Sequence, residues 1–62
     1  YLHAINSLEL KPTECVIVED SLTGVQAGLA AGVRTYFLNH YGETCPAGAI
    51  EIRQLSDLLT AL

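Results

Sequence analysis

The tightest constraint on the fold lies between Cys15 and Leu38, where a short β-branched run, a segment with helical period and a second β-forming run follow one another. Cys15 to Val18, "CVIV", is continuous and apolar, with Pro12 and Thr13 before it and Glu19 and Asp20 after it. That is the pattern of a strand covered on both faces. Leu22, Val25 and Leu29 fall on one helical stripe that stops at Gly32, a residue suited to the left-handed position beyond a last turn. Arg34 to Leu38, "RTYFL", then reads as a second strand. Two short strands joined by a crossover helix imply parallel pairing, a right-handed connection and an α/β layered architecture.

The flanks extend this plan. Tyr1, Leu2, Ile5 and Leu8 repeat at helical spacing, and the run is expected to close at Lys11 and Pro12. "NHYGETCPAG", from Asn39 to Gly48, is loop by its Asn, Gly and Pro content, and "AIEI" after it suits a short edge strand. Leu55, Leu58, Leu59 and Leu62 mark a terminal helix. The expected order is α-β-α-β-(β)-α, a fragment of a three-layer Rossmann-like parallel sheet. Two strands and a marginal third are too little sheet for three helices, so further strands are expected outside this sequence. The first residue, Tyr1, is not a methionine and already lies inside the helical pattern, which fits the same expectation. Gly24, Gly28 and Gly32 do not form a GxGxxG dinucleotide fingerprint, and small residues on one helical face suit close packing on a sheet.

Composition narrows the function classes. Half of the 62 residues are apolar and 16% are charged, the balance of a core-forming segment. A net charge of -4, with Lys11, Arg34 and Arg53 far apart in sequence, argues against nucleic acid as a partner. Arg34 interrupts the longest apolar stretch well short of the ~20 residues of a membrane span, so no membrane partner is expected either. Cys15 and Cys45 lack CxxC spacing and neighbouring His ligands, and read as free thiols in a reducing cytoplasm.

Glu19 and Asp20 are the residues that burial does not explain. In open α/β sheets, ligands bind beyond the carboxyl ends of the strands, and both acids stand at that end of the first strand. Adjacent carboxylates repel unless a cation or donors hold the charge, and hard oxygens at such a place suit Mg²⁺, which takes one or two carboxylates together with a phosphate. A second role competes: Asp20 or Ser21 is a favoured N-cap for the following helix. The two roles are compatible, since a helix-opening loop can also hold an anion. Ser21 and Gly24 are the candidates for supporting a phosphate or the loop itself. Ser21 and Thr23 lie in no GxSxG context, His3 reads as a surface or packed residue, and His40 follows the second strand at the same sheet edge.

Those residues, in the run "LELKPTECVIVEDSLTGVQAGLAAGVRTYFL", resemble the C-terminal part of the haloacid dehalogenase-like (HAD) hydrolase superfamily, especially the subgroup of β-phosphoglucomutase and sugar-phosphate phosphatases. A helix, a P-x-x-C lead-in, a hydrophobic strand, "EDS" and G-x-x-A-x-x-A-G follow in that order, and the likeness weakens after Asn39. The resemblance implies that "VEDS" is the superfamily's fourth motif, with Asp20 a Mg²⁺ ligand and Glu19 a second ligand or water-mediated partner. It also implies what the 62 residues do not contain: the DxD motif with the nucleophile and the acid-base Asp, the Ser/Thr motif, the motif Lys and the cap domain. Lys11-Pro12 is not that Lys, because the superfamily's Lys-Pro pair precedes the helix that Lys11 follows.

The expectation is therefore the C-terminal portion of a catalytic core domain, residues 1–62, from a Mg²⁺-dependent phosphohydrolase. The parent enzyme acts on a small phosphomonoester, a sugar phosphate, through an aspartyl-phosphate intermediate. The segment alone is expected to be inactive and to need the rest of the domain for folding or activity. A phosphomutase is the nearest alternative. A non-catalytic α/β signalling or interaction module is another, but a receiver domain should carry an Asp at the end of a later strand, and here those ends read Leu38-Asn39 and Ile52-Arg53.

Overall fold

Parallel pairing of the two predicted strands organises the chain. The computed structural model describes residues 1–61, and in it β1 (Val16–Glu19) pairs with β2 (Arg34–Leu38) in the register Val16↔Arg34 to Glu19↔Phe37. A third strand, β3 (Ile50–Ile52), adds to the far side of β2, again parallel, giving the order β1-β2-β3. The helices are α1 (Leu2–Ser7), α2 (Leu22–Ala30) and α3 (Leu58–Ala61), with single 3₁₀ turns at Pro12–Glu14 and Leu55–Asp57. This is a mixed α/β chain of the Rossmann-like kind, with the marginal edge strand present.

Helix α2 crosses from β1 to β2 and packs on both. Its Val25 is fully buried, and Gly28 faces the sheet so closely that a Cβ added there would lie 2.5 Å from Thr35 Oγ1 and 3.2 Å from Ile17 Cδ1. Small size, as the sequence pattern indicates, is what lets the helix backbone settle onto the strands. Ile17 and Thr35 are register partners and so share the face that α2 covers. Thr35 is buried, with its hydroxyl donating to Val33 O at 2.9 Å. Ile5 of α1 joins Ile17, Ala31 and Val33 in the same core. Beyond α2, Gly32 adopts φ +75, its N–H bonds to Leu29 O and the Val33 N–H bonds to Gly28 O, a Schellman ending.

Three expectations need correction. Helix α1 ends at Ser7 rather than running to Lys11, because Glu9 takes the left-handed conformation (φ 58) and the Leu10 N–H turns back to Ile5 O. Lys11, preceding a proline, is extended and opens the 3₁₀ turn instead. Strand β1 is covered on one face only among the described residues: Ile17 is buried, but Val16 and Val18 are 48% and 36% exposed. Ile50, in register with Tyr36 and so on the face of Val18, is 43% exposed, and among the described residues no strand pairs with the outer edge of β1. The terminal helix begins later than its leucine pattern, at Leu58 after the 3₁₀ turn, and Leu62 of that pattern lies outside the described residues.

The turn at Leu55–Asp57 is closed by a carboxylate. Asp57 Oδ2 accepts from the backbone N–H groups of Arg53 (3.0 Å) and Gln54 (3.3 Å). The Arg53 N–H does most to hold the Asp57 carboxyl below its ordinary value; desolvation opposes it, and the Gln54 bonds and the Arg53 charge add to the lowering.

Two outcomes follow for the full-length protein. Gly28→Ala forces α2 off the sheet and should lower stability by about 1–3 kcal/mol in denaturant unfolding, the ordinary scale of overpacking. Because the folded-state pKa of Asp57 is lowered, its contribution is complete above the unfolded carboxylate range and is lost as pH falls through the folded value. The stability difference between the native protein and Asp57→Asn should therefore narrow as pH drops below about 4, measured by unfolding midpoints across the acid range.

Candidate functional site

The carboxyl end of β1 delivers the acid pair. Glu19 is the last residue of the strand, Asp20 follows it, and Ser21 turns the chain into α2 with extended backbone (φ -117, ψ 147). Ser21 Oγ accepts from the Gly24 N–H at 3.1 Å, so the N-cap role falls to Ser21. The carboxylate of Asp20 is exposed and has no hydrogen-bond or ion-pair partner among the described residues. Helix capping therefore accounts for Ser21 and leaves both acids unexplained.

The two acids have different surroundings. Glu19 is half-buried, with its carboxylate lying over the first turn of α2 at Gly24. Desolvation first, then the nearby Glu19 carboxylate, pushes the Tyr1 phenol above its ordinary value, while Tyr1 itself stays about half exposed. Nothing local in the sequence signals this proximity, which arises only once α1 lies near β1.

The donor chemistry fits a hard cation. Asp20 offers free carboxylate oxygens at the sheet's carboxyl edge, and Glu19 a second set close by in sequence, matching the one or two protein carboxylates that Mg²⁺ takes. No group of three His, Cys, Asp or Glu side chains capable of holding a metal occurs among the described residues, so by themselves these two could supply only part of a coordination shell.

The other candidates are placed elsewhere. His40 lies beyond β2, exposed and edge-to-face with Tyr41 at 6.1 Å, in a groove lined by Asn39, Gly42, Glu43, Glu51 and Arg53 that includes neither acid of the pair. Asn39 organises that loop: its Nδ2 donates to Glu43 O (2.6 Å) and Glu51 Oε1 (3.2 Å), and its Oδ1 accepts from the Glu43 N–H (3.0 Å). His3 is exposed on α1. Lys11 precedes β1, toward its amino end, away from the acids. Cys15 and Cys45 form no disulfide, and burial pushes the Cys45 thiol up, with the Glu51 charge adding to it. No described helix is long and apolar enough to cross a membrane.

Comparison with known proteins gives one point of contact. No family model and no solved structure matches the chain. Among curated proteins it is similar to hexitol phosphatase A of Escherichia coli, 46% identical over 44 residues, which is 71% of this chain and 20% of the relative. The aligned segment thus spans about a fifth of that protein's length.

Since Ser21 caps α2 through one hydrogen bond, Ser21→Ala in the full-length protein should cost about 1 kcal/mol of stability, and Ser21→Asp should restore most of it, both read from thermal or denaturant unfolding.

Proposed function

We propose that residues 1–62 are the C-terminal portion of a HAD-like catalytic core domain in a Mg²⁺-dependent phosphohydrolase. The observation that carries this reading is the placement of Glu19 and Asp20 at the carboxyl end of a parallel strand, immediately ahead of a serine-capped helix. Similarity to a protein named a hexitol phosphatase supports the same class and favours a phosphatase over a phosphomutase. It also supports a small phosphorylated sugar or sugar alcohol as substrate. A receiver-like module is disfavoured by the ends of β2 and β3, followed by Asn39 and Arg53 where that reading requires an Asp.

In this reading Asp20 is a direct Mg²⁺ ligand, and Glu19 a second ligand or a partner through water. The bound cation supplies charge neutralisation between the phosphate and an attacking carboxylate, the main need of phosphoryl transfer. Ser21 holds the start of α2 in place behind Asp20, and Gly24 keeps the adjoining turn free of a side chain. The nucleophile, the acid-base Asp and the cap domain belong to the remainder of the protein. The apolar face of Val16, Val18 and Ile50 and the open edge of β1 are where that remainder completes the layer. The cytoplasm is the compartment this reading fits, with both thiols free.

The test uses the full-length protein, a hexitol phosphate and a metal-free buffer back-titrated with Mg²⁺. Release of inorganic phosphate should depend on the metal and fall about 100-fold or more in Asp20→Ala, the scale on which loss of a charge-stabilising group acts. Near-normal turnover by that variant removes Asp20 from the site, and product formation without phosphate release makes the protein a mutase.

A further inference from the structure

Gly24 has no backbone reason to be glycine. It lies inside α2, and the glycines with positive φ in the described chain are Gly32, Gly42 and Gly48. Glycine is among the poorest helix formers, so alanine should be preferred at such a position. The three nearest atoms to a Cβ built there all belong to Glu19: Oε1, Cδ and Cγ, the last at 2.9 Å and the other two closer. Overlap extends down to Cγ, so it cannot be relieved by turning the carboxylate alone; the whole Glu19 side chain must swing away. The space left by the missing Gly24 side chain is filled by the Glu19 carboxylate.

We infer that Gly24 is a positioning residue whose absent side chain makes the seat that holds the Glu19 carboxylate against the first turn of α2. Gly28 shows the contrast within the same helix: its missing Cβ makes room for Ile17 and Thr35, side chains of the core, whereas that of Gly24 makes room for an ionisable group at the sheet's carboxyl edge. The seat therefore fixes one of the two acids while Asp20 stays open to solvent. Its bearing on metal binding rests on the reading of Glu19 as a ligand or water-mediated partner given above; the seat itself does not.

The experiment is a double-mutant cycle in the full-length protein with Gly24→Ala, Glu19→Ala and the pair, each measured for unfolding without metal and for the Mg²⁺ concentration giving half-maximal activity. Gly24→Ala should be less favourable to stability with Glu19 present than with alanine at residue 19, where removing the clash leaves only the helix preference. If Gly24→Ala alone fails to fold, folding of the double variant carries the same conclusion. Equal effects of Gly24→Ala in the two backgrounds, or failure of both variants to fold, overturn the seat. With Glu19 present, Gly24→Ala should also raise the half-activating Mg²⁺ concentration about 10-fold while turnover at saturating metal recovers, and Glu19→Asp should restore part of the affinity in the Gly24→Ala background. Coupling in stability with an unchanged Mg²⁺ requirement upholds the seat and separately removes Glu19 from the metal reading.

Discussion

The close seating of α2 on β1 and β2 through Gly28 is the contact on which the rest depends. With Ile17 and Thr35 directly beneath the helix backbone, the axis of α2 is set by steric contact rather than by long, adaptable side chains. That fixes the distance and direction from the end of β1 to the first turn of α2, a gap spanned only by Asp20 and Ser21. A helix held further from the sheet would carry its N-terminus away from Glu19 and leave that carboxylate in solvent. Packing in the core and placement of the acid pair are thus one geometric problem, solved by small residues a helical turn apart on the same helix.

Electrostatics then separates the two acids. Neighbouring carboxylates in the same environment would compete for any cation and repel one another without it. Here Glu19 is half-buried against the first turn of α2, while Asp20 projects into solvent without a partner among the described residues. Under the proposed function, a fixed acid beside a free one suits a site in which a hard cation meets a ligand arriving from outside.

Much of this was legible from local chemistry. The β-branched runs, the stripe of Leu22, Val25 and Leu29 and the Gly32 stop are all near-neighbour patterns, and strand, helix and Schellman ending appear where they point. What went astray depended on competition between local signals or on contacts distant in sequence. Pro12 indicated the end of α1, but Glu9 turned left-handed first, a conformation no sequence rule expects of a glutamate. The apolar run at β1 indicated two covered faces, and the described chain covers only the Ile17 side. Asp20 and Ser21 were equal candidates for the N-cap until the backbone placed Ser21 Oγ at the Gly24 N–H.

The amino-acid sequence by itself determined the β-α-β unit and the position of two acids at its carboxyl edge, because strand and helix periodicity and turn chemistry act over a few residues. Only the tertiary structure decided which acid is held and which is free. That choice depends on where the α2 backbone lies relative to the end of β1, and that distance follows from the packing of the whole core rather than from any stretch of chain.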